Sequence, residues 1–166
     1  MKQLEIELFL QDTVKVAKEL IWKIIQIWDK KAMIYEVEVY TWKDDEASHA
    51  FGWKTKRNFP MFGEWWKTYV YLIYGMYHCL NITTDKKWIP WAVLIRWVQL
   101  EDGTLIDGPW KLTRYFWIMR KHNYMDITKK DSFIKIFDNN QKFNIKSTPR
   151  IWIKKAIDKK RRFIIN

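Results

Sequence analysis

Between Met33 and Tyr40 apolar and polar residues alternate, and the segment Tyr35-Glu36-Val37-Glu38-Val39-Tyr40 carries two carboxylates in that rhythm. A period of two dictates a β-strand whose side chains point to opposite faces in turn. The alternation sets Ile34, Glu36, Glu38 and Tyr40 on one face and sends Tyr35, Val37 and Val39 into a core. Asp44-Asp45-Glu46-Ala47-Ser48-His49 follows closely. Two carboxylates on one face, with an aromatic beyond them and a histidine nearby, could assist attack by water. The same pattern also suits the solvated face of an edge strand.

The rest of the chain reads as helix and strand around this segment. Asp12 or Thr13 can cap a helix running to about residue 21, with Val14, Ala17, Leu20 and Ile21 on its buried stripe. Ile24 to Ile27 predicts a short strand, and Asp29-Lys30-Lys31 a turn into the alternating segment. Asp44 or Asp45 can cap a short helix through His49, and Asn58-Phe59-Pro60 marks a loop. Strands are expected over Thr68–Tyr74, His78–Thr83 and Ala92–Leu100. Arg96, embedded in the last of these, needs a carboxylate partner if it is buried. Glu101 to Thr104 is a turn. Pro109 starts a helix burying Leu112, Tyr115, Phe116 and Met119. Beyond residue 120 the pattern weakens to loop, with short strands around 133–137, 143–145 and 151–153. No repeat or long linker divides the 166 residues, which fits one domain.

Charge narrows the partners. The chain carries a net charge of +11, and residues 120–166 contribute fourteen basic against four acidic side chains, nearly all of the excess. A polyanion is implied: nucleic acid, an anionic membrane surface or an acidic substrate. The run Lys159-Lys160-Arg161-Arg162 can equally be a solvated, poorly ordered tail. Cys79 is the only cysteine, so no disulfide forms within the chain and a reducing compartment is expected. No apolar run is long enough to span a membrane, and the N-terminal residues resemble neither a secretory signal nor a transit peptide. A cytoplasmic protein is expected, nucleoid-associated if bacterial. His49, His78 and His122 lie far apart and make no zinc spacing with Cys79. Phosphate loop, nucleophile elbow and Cys-x-x-Cys are all lacking, so nucleotide hydrolysis, serine hydrolysis and thiol redox chemistry have no support. The tyrosines at 69, 71 and 74 could stack on a base or wedge into a duplex, or could simply pack with their hydroxyls at the surface.

Taken together, the segments fall into an order. Glu36-Val37-Glu38-Val39-Tyr40, Asp45-Glu46-Ala47-Ser48-His49, Thr55-Lys56-Arg57-Asn58 with Met61-Phe62-Gly63, Tyr69 to Met76 through Asn81, Val93-Leu94-Ile95-Arg96, Gly108-Pro109-Trp110-Lys111-Leu112-Thr113 and Thr148-Pro149-Arg150-Ile151 follow the order and spacing of one family. From about Phe9 to Phe163 the chain resembles the 3-methyladenine (alkyladenine) DNA glycosylases.

The resemblance implies a single compact α+β domain over residues 1–166, with a curved antiparallel sheet, peripheral helices and a β-hairpin that inserts into the DNA minor groove. It implies a monomeric, monofunctional enzyme of base-excision repair, with duplex DNA as partner and no metal or cofactor. The substrates would be alkylated purines such as 3-methyladenine and 7-methylguanine, with hypoxanthine a further candidate, flipped from the duplex and cut to leave an abasic site. Carried over by position, Glu38 matches the general base and Arg96 the residue that helps hold water and carboxylate. Tyr40, His49 and Tyr71 match the residues that sandwich the base, Asn81 the one that screens its edge, and Tyr74 the wedge. A family member that binds DNA without cutting it, and a basic RNA-binding module, are the competing readings.

Two departures stand out. Glu38-Val39-Tyr40 replaces the family's Glu-Ala-Tyr. Trp22, Trp42, Trp53, Trp66, Trp110 and Trp152 stand where the family's glycines are expected, with Trp117 as another candidate, and only five glycines remain beside twelve tryptophans. Where the backbone needs a positive φ, each such tryptophan costs on the order of 1–2 kcal/mol, against about 5–15 kcal/mol for a whole domain. The pattern suggests a coding or translation anomaly or a decaying gene; ordinary core or DNA-stacking rings are the alternative.

Overall fold

Asp12 opens the first long helix, its carboxylate accepting hydrogen bonds from the Val14 and Lys15 N–H groups at 3.0 and 3.1 Å. In the computed structural model, which describes residues 1–64 and 66–166, that helix is α2 (Thr13–Leu20), preceded by β1 (Lys2–Gln3) and α1 (Ile6–Phe9). Thr13, Val16, Ala17 and Leu20 form its buried stripe. Val14, expected inside, is half-buried, because the i, i+3, i+4, i+7 row from Thr13 is the one that meets the sheet. There follow β2 (Ile24–Ile27), β3 (Lys30–Tyr40), α3 (Phe59–Phe62), β4 (Thr68–Ile73), β5 (Tyr77–Thr84), β6 (Trp91–Leu100) and β7 (Leu105–Asp107). Then come α4 (Pro109–Tyr115), a 3-10 turn (Arg120–His122), β8 (Ile134–Asp138), β9 (Ile145–Thr148) and β10 (Arg162–Ile165).

Every strand pairing is antiparallel, in the order β1-β8-β2-β3-β6-β5-β4, with β7 added to β6 and β9 to β10. The sheet curls around a main apolar core closed by α2 and α4, and a second, smaller buried cluster gathers Ala50, Met61, Phe62, Tyr69 and Ala92. This is the expected α+β architecture with a curved antiparallel sheet.

The long strand β3 sets the geometry. Along one edge it pairs with β2 up to Met33 and then with β10 from Glu36 to Glu38, while β6 runs along the other edge. Glu36 and Glu38 are therefore internal and fully buried, not on the solvated face of an edge strand. The register against β6 slips on either side of Glu36, a β-bulge. A bulge inserts a residue and reverses the facing of everything beyond it. Ile34 consequently lies in the core with Val37 and Val39, instead of sharing a face with Glu36 and Glu38 as strict alternation requires. Tyr35 turns to stack on Trp97.

Other expectations need correction. Residues 44–49 form successive turns instead of a helix, because Asp45 is engaged elsewhere: its carboxylate accepts the Thr41 N–H and a bidentate pair of bonds from Arg150. Asn58-Phe59-Pro60 leads into one helical turn. Tyr115 and Met119 are exposed, while Leu112 and Phe116 are buried as expected. No strand forms at 151–153; the last strand is β10, which begins at Arg162, the end of the run that reads as a solvated tail. Lys159 and Arg161 pair with Asp44, and Arg162 with Glu36, so the basic run is tied down by the acidic residues of 36–45.

Five of the seven tryptophans suspected of replacing glycine, Trp22, Trp53, Trp66, Trp117 and Trp152, have positive φ. Trp42 and Trp110 do not; Trp110 lies in the first turn of α4, where any residue fits. Trp28 and Trp88, which the sequence did not single out, do.

Candidate active site

Where β3 to β6 curl, they enclose a cavity of about 420 Å³, within the range that accommodates small ligands. Its wall includes Tyr40 from β3, Tyr71 from β4, Asn81 from β5 and Arg96 from β6, with His49 from the turns after β3. Five of the sequence-predicted residues thus meet at one place, although they span residues 40 to 96. Tyr74 lies on the rim. It is 76% exposed at the tip of the β4–β5 hairpin, and Tyr74 and Gly75 both have positive φ (49° and 71°) while the Met76 N–H donates to the Ile73 carbonyl. These features describe a type I′ turn, whose twist suits a hairpin. The turn directs the tyrosine ring away from the body.

Glu38 lies directly behind the wall, fully buried. Its Oε2 accepts from the Tyr40 hydroxyl at 2.9 Å and faces Arg96 Nη1 at 3.4 Å, while Oε1 accepts from the Ile151 N–H at 2.9 Å. A carboxylate offers about four acceptor positions. Among the described residues three are taken, and the free one is on Oε1. Burial pushes the Glu38 carboxyl above its ordinary value of 4.5, with Arg96, Ile151 and Tyr40 pulling the other way. Burial likewise raises the Tyr40 hydroxyl, so it stays a donor.

Arg96 is itself fixed. Its Nε donates to Glu36 Oε1 at 2.6 Å, and Arg162 Nη2 donates to Glu36 Oε2 at 2.7 Å. The carboxylate partner expected for a buried arginine is thus present twice over, in Glu36 and Glu38. Deeper still, Arg150 makes the bidentate pair with Asp45, both fully buried side chains, and its guanidinium lies 4.6 Å from the centre of the Tyr40 ring.

The aromatic walls are held by polar links. His49 Nδ1 and the Tyr69 hydroxyl are hydrogen-bonded at 2.9 Å, and the His49 ring meets Tyr71 edge-on at 4.5 Å. Burial, helped by nearby Arg57, lowers His49 to about 4, so its imidazole is neutral at physiological pH. The Asn81 amide donates to the Tyr69 carbonyl at 3.0 Å, which leaves its oxygen as the end free to meet a ligand. Arg57 stands over Tyr71 at 5.2 Å.

Several participants escaped the sequence reading. Tyr69 was visible as part of the tyrosine cluster but not as the partner of His49. In the sequence Glu36 stands out only as a companion of Glu38, and Arg150 and Ile151 only as part of a matching block. The Ile151 contribution is a backbone N–H, which every residue but proline carries, so no sequence signal could mark it. Among the described residues no group of three or more His, Cys, Asp or Glu side chains is gathered as for a metal ion, and no helix is long and apolar enough to cross a membrane.

Comparison with known proteins finds relatives along nearly the whole chain. A protein of Sodalis glossinidius is 42% identical over 155 residues, covering 92% of this chain and 91% of its own length. One from Ehrlichia ruminantium (strain Welgevonden) is 43% identical over 162 residues, 93% of this chain and 85% of that protein. A third, from Rickettsia felis, is 40% identical over 161 residues, 96% and 90% respectively. All three bear the name "Putative 3-methyladenine DNA glycosylase". The model of the methylpurine-DNA glycosylase (MPG) family matches residues 7–166. A buried carboxylate behind an aromatic cavity, a hairpin with an exposed tyrosine at its rim and a match along nearly the whole chain lead to one statement: this chain belongs to the methylpurine-DNA glycosylase family.

Proposed function

We propose that the chain is an active, monofunctional DNA glycosylase that hydrolyses the N-glycosidic bond of alkylated purines flipped out of duplex DNA, leaving an abasic site. The observation that carries this reading is the setting of Glu38: a buried carboxylate with one open acceptor position, held by three groups that belong to the wall of an aromatic cavity.

A base stacked in a duplex is out of reach, so the nucleotide rotates out at a cost of a few kcal/mol, less where a lesion already pairs poorly. Tyr74 at the hairpin tip fills the gap it leaves. The purine enters between Tyr40, Tyr71 and His49. A base made cationic by alkylation at N3 or N7 is attracted to the electron-rich ring faces by about 0.5–2 kcal/mol. The neutrality of His49 avoids a repelling charge. Asn81 presents its amide oxygen to the purine edge. Glu38 accepts a proton from a water bound at the free Oε1 position, and that water attacks C1′ as the base leaves neutral. Arg96, anchored by Glu36, keeps the carboxylate oriented. General base assistance contributes about 10²- to 10⁴-fold, and positioning much of the remainder.

The test is single-turnover excision from a duplex bearing one alkylated adenine, read by alkaline cleavage at the abasic site, for the wild type and Glu38→Gln. Loss of excision with retained duplex binding is expected. Undiminished excision removes Glu38 as the base, and binding without abasic-site formation in the wild type leaves only a DNA-binding family member.

A further inference from the structure

Seven of the eleven described tryptophans have left-handed backbone: Trp22, Trp28, Trp53, Trp66, Trp88, Trp117 and Trp152, with φ between 51° and 94°. Among the other 149 residues that are not glycine only five do, Tyr74, Asp85, Tyr124, Asn140 and Ala156. Positive φ is uncommon outside glycine, is best tolerated by Asn and Asp, and is a true outlier for bulky residues. Tryptophan is therefore concentrated where its backbone fits worst.

Local hydrogen bonding identifies the residue that two of these places call for. After α4, the Ile118 N–H donates to the Thr113 carbonyl and the Trp117 N–H to the Arg114 carbonyl. That pair of bonds is the Schellman motif, and residue 117 occupies its left-handed position, usually glycine. In the β2–β3 hairpin, Ile27 pairs with Lys30, so Trp28-Asp29 is a two-residue loop in which Trp28 alone has positive φ. This is the pattern of a type II′ turn, whose first position takes glycine.

The rings share no role that would explain where they stand: the Trp28 and Trp66 indoles donate to the Phe116 carbonyl and the Asp126 carboxylate, while others reach into solvent or lack an acceptor. The Trp117 side chain is 71% exposed and the Trp152 side chain 75%. Trp22 is buried, yet its indole N–H finds no hydrogen-bond acceptor among the described residues. A substitution process blind to conformation would scatter tryptophans over helices and strands as well. One confined to glycine codons would produce this distribution.

We propose that the natural protein carries glycine at these seven positions, and that the codons rendered as tryptophan there are decoded as glycine in the cells the gene comes from. Glycine content then rises from five residues to twelve, the ordinary share of about 7%. One of the seven bears on the cavity. Trp152 lines its wall next to Ile151, and glycine there withdraws an indole from the entrance.

Peptide sequencing by mass spectrometry of the protein purified from its own cells tests the assignment. Glycine is expected at all seven positions, with tryptophan retained at Trp97, which lies inside β6; tryptophan at any of the seven overturns it. A second measurement needs only recombinant material. The tryptophan-containing chain and a variant with all seven Trp→Gly changes, both made under the standard code, are compared by thermal unfolding. The glycine form is expected to melt at least about 10 °C higher, whereas Trp97→Gly lowers the melting temperature. A sevenfold variant that melts at or below the tryptophan-containing chain overturns the proposal.

Discussion

At Glu38 the backbone is ordinary β-strand and the side chain accepts three hydrogen bonds; at Trp117 the backbone is left-handed and the side chain reaches mostly into solvent. The cavity and the turns thus divide the requirements of the fold. In the cavity the chain needs particular functional groups on unremarkable backbone. At the turns it needs particular backbone, and a side chain is at best tolerated. The two hairpins sharpen the contrast. Tyr74 also has positive φ, but beside Gly75, at the tip of a hairpin next to the cavity, where strain in service of a site is common. Trp28 has the same kind of backbone at a hairpin remote from the cavity wall.

Substitutions can break this division. The largest effect is expected on the cavity side. Arg150→Met takes the bidentate partner from the fully buried Asp45, leaving Arg161 at 3.6 Å as its remaining cation, and should destabilise the protein by about 3–5 kcal/mol in chemical denaturation. Glu38→Gln should slow single-turnover excision by about 10²- to 10⁴-fold with little change in duplex affinity. Tyr74→Ala should reduce excision by roughly tenfold, since part of a flipping cost of a few kcal/mol is no longer offset, while nonspecific affinity measured by gel shift stays the same. On the turn side the sign reverses: Trp117→Gly should stabilise by about 1–2 kcal/mol without altering excision. Destabilisation by that change would mean the exposed ring contributes something the structure does not reveal.

Acidity separates the two roles of Glu38. Its carboxyl sits above the ordinary glutamate value of 4.5 because it is buried. As the proposed base it works only when ionised, so on that proposal excision should rise as pH climbs through the raised folded value. Stability moves oppositely. A raised folded pKa contributes stability that is fully present below the unfolded value and is lost as pH rises through the folded one. Single-turnover rates and denaturant midpoints measured across pH, for the wild type and Glu38→Gln, should therefore show opposed trends that the variant lacks. His49, lowered to about 4, adds stability present above its ordinary value of 6.5 and lost as pH falls toward 4.

The candidate site residues Glu38, Tyr40, His49, Tyr71, Asn81 and Arg96 could be named through the resemblance that the ordered blocks carry, while local pattern alone left the carboxylates and tyrosines open to a solvated strand face or ordinary packing. The need of a buried arginine for a carboxylate was also readable. What escaped depends on register and distance. The bulge on either side of Glu36 leaves no mark in the alternation, and it decides that Ile34 joins the core while Glu36 turns toward Arg96 and Arg162. Asp45 has the composition of a helix cap, but Arg150, more than a hundred residues away in the chain, claims it.

The sequence by itself determined the central strands β2 to β6, since a period of two is imposed by the pleat, and the set of functional groups available, since these are fixed by residue type. Tertiary structure decided which carboxylate lies behind the cavity and which one braces the arginine, because pairing β10 against β3 brings residues 150–162 to the same strand as residues 36–38. It also decided which tryptophans conflict with their backbone, because a φ angle follows from how a turn must close and not from the side chain placed on it.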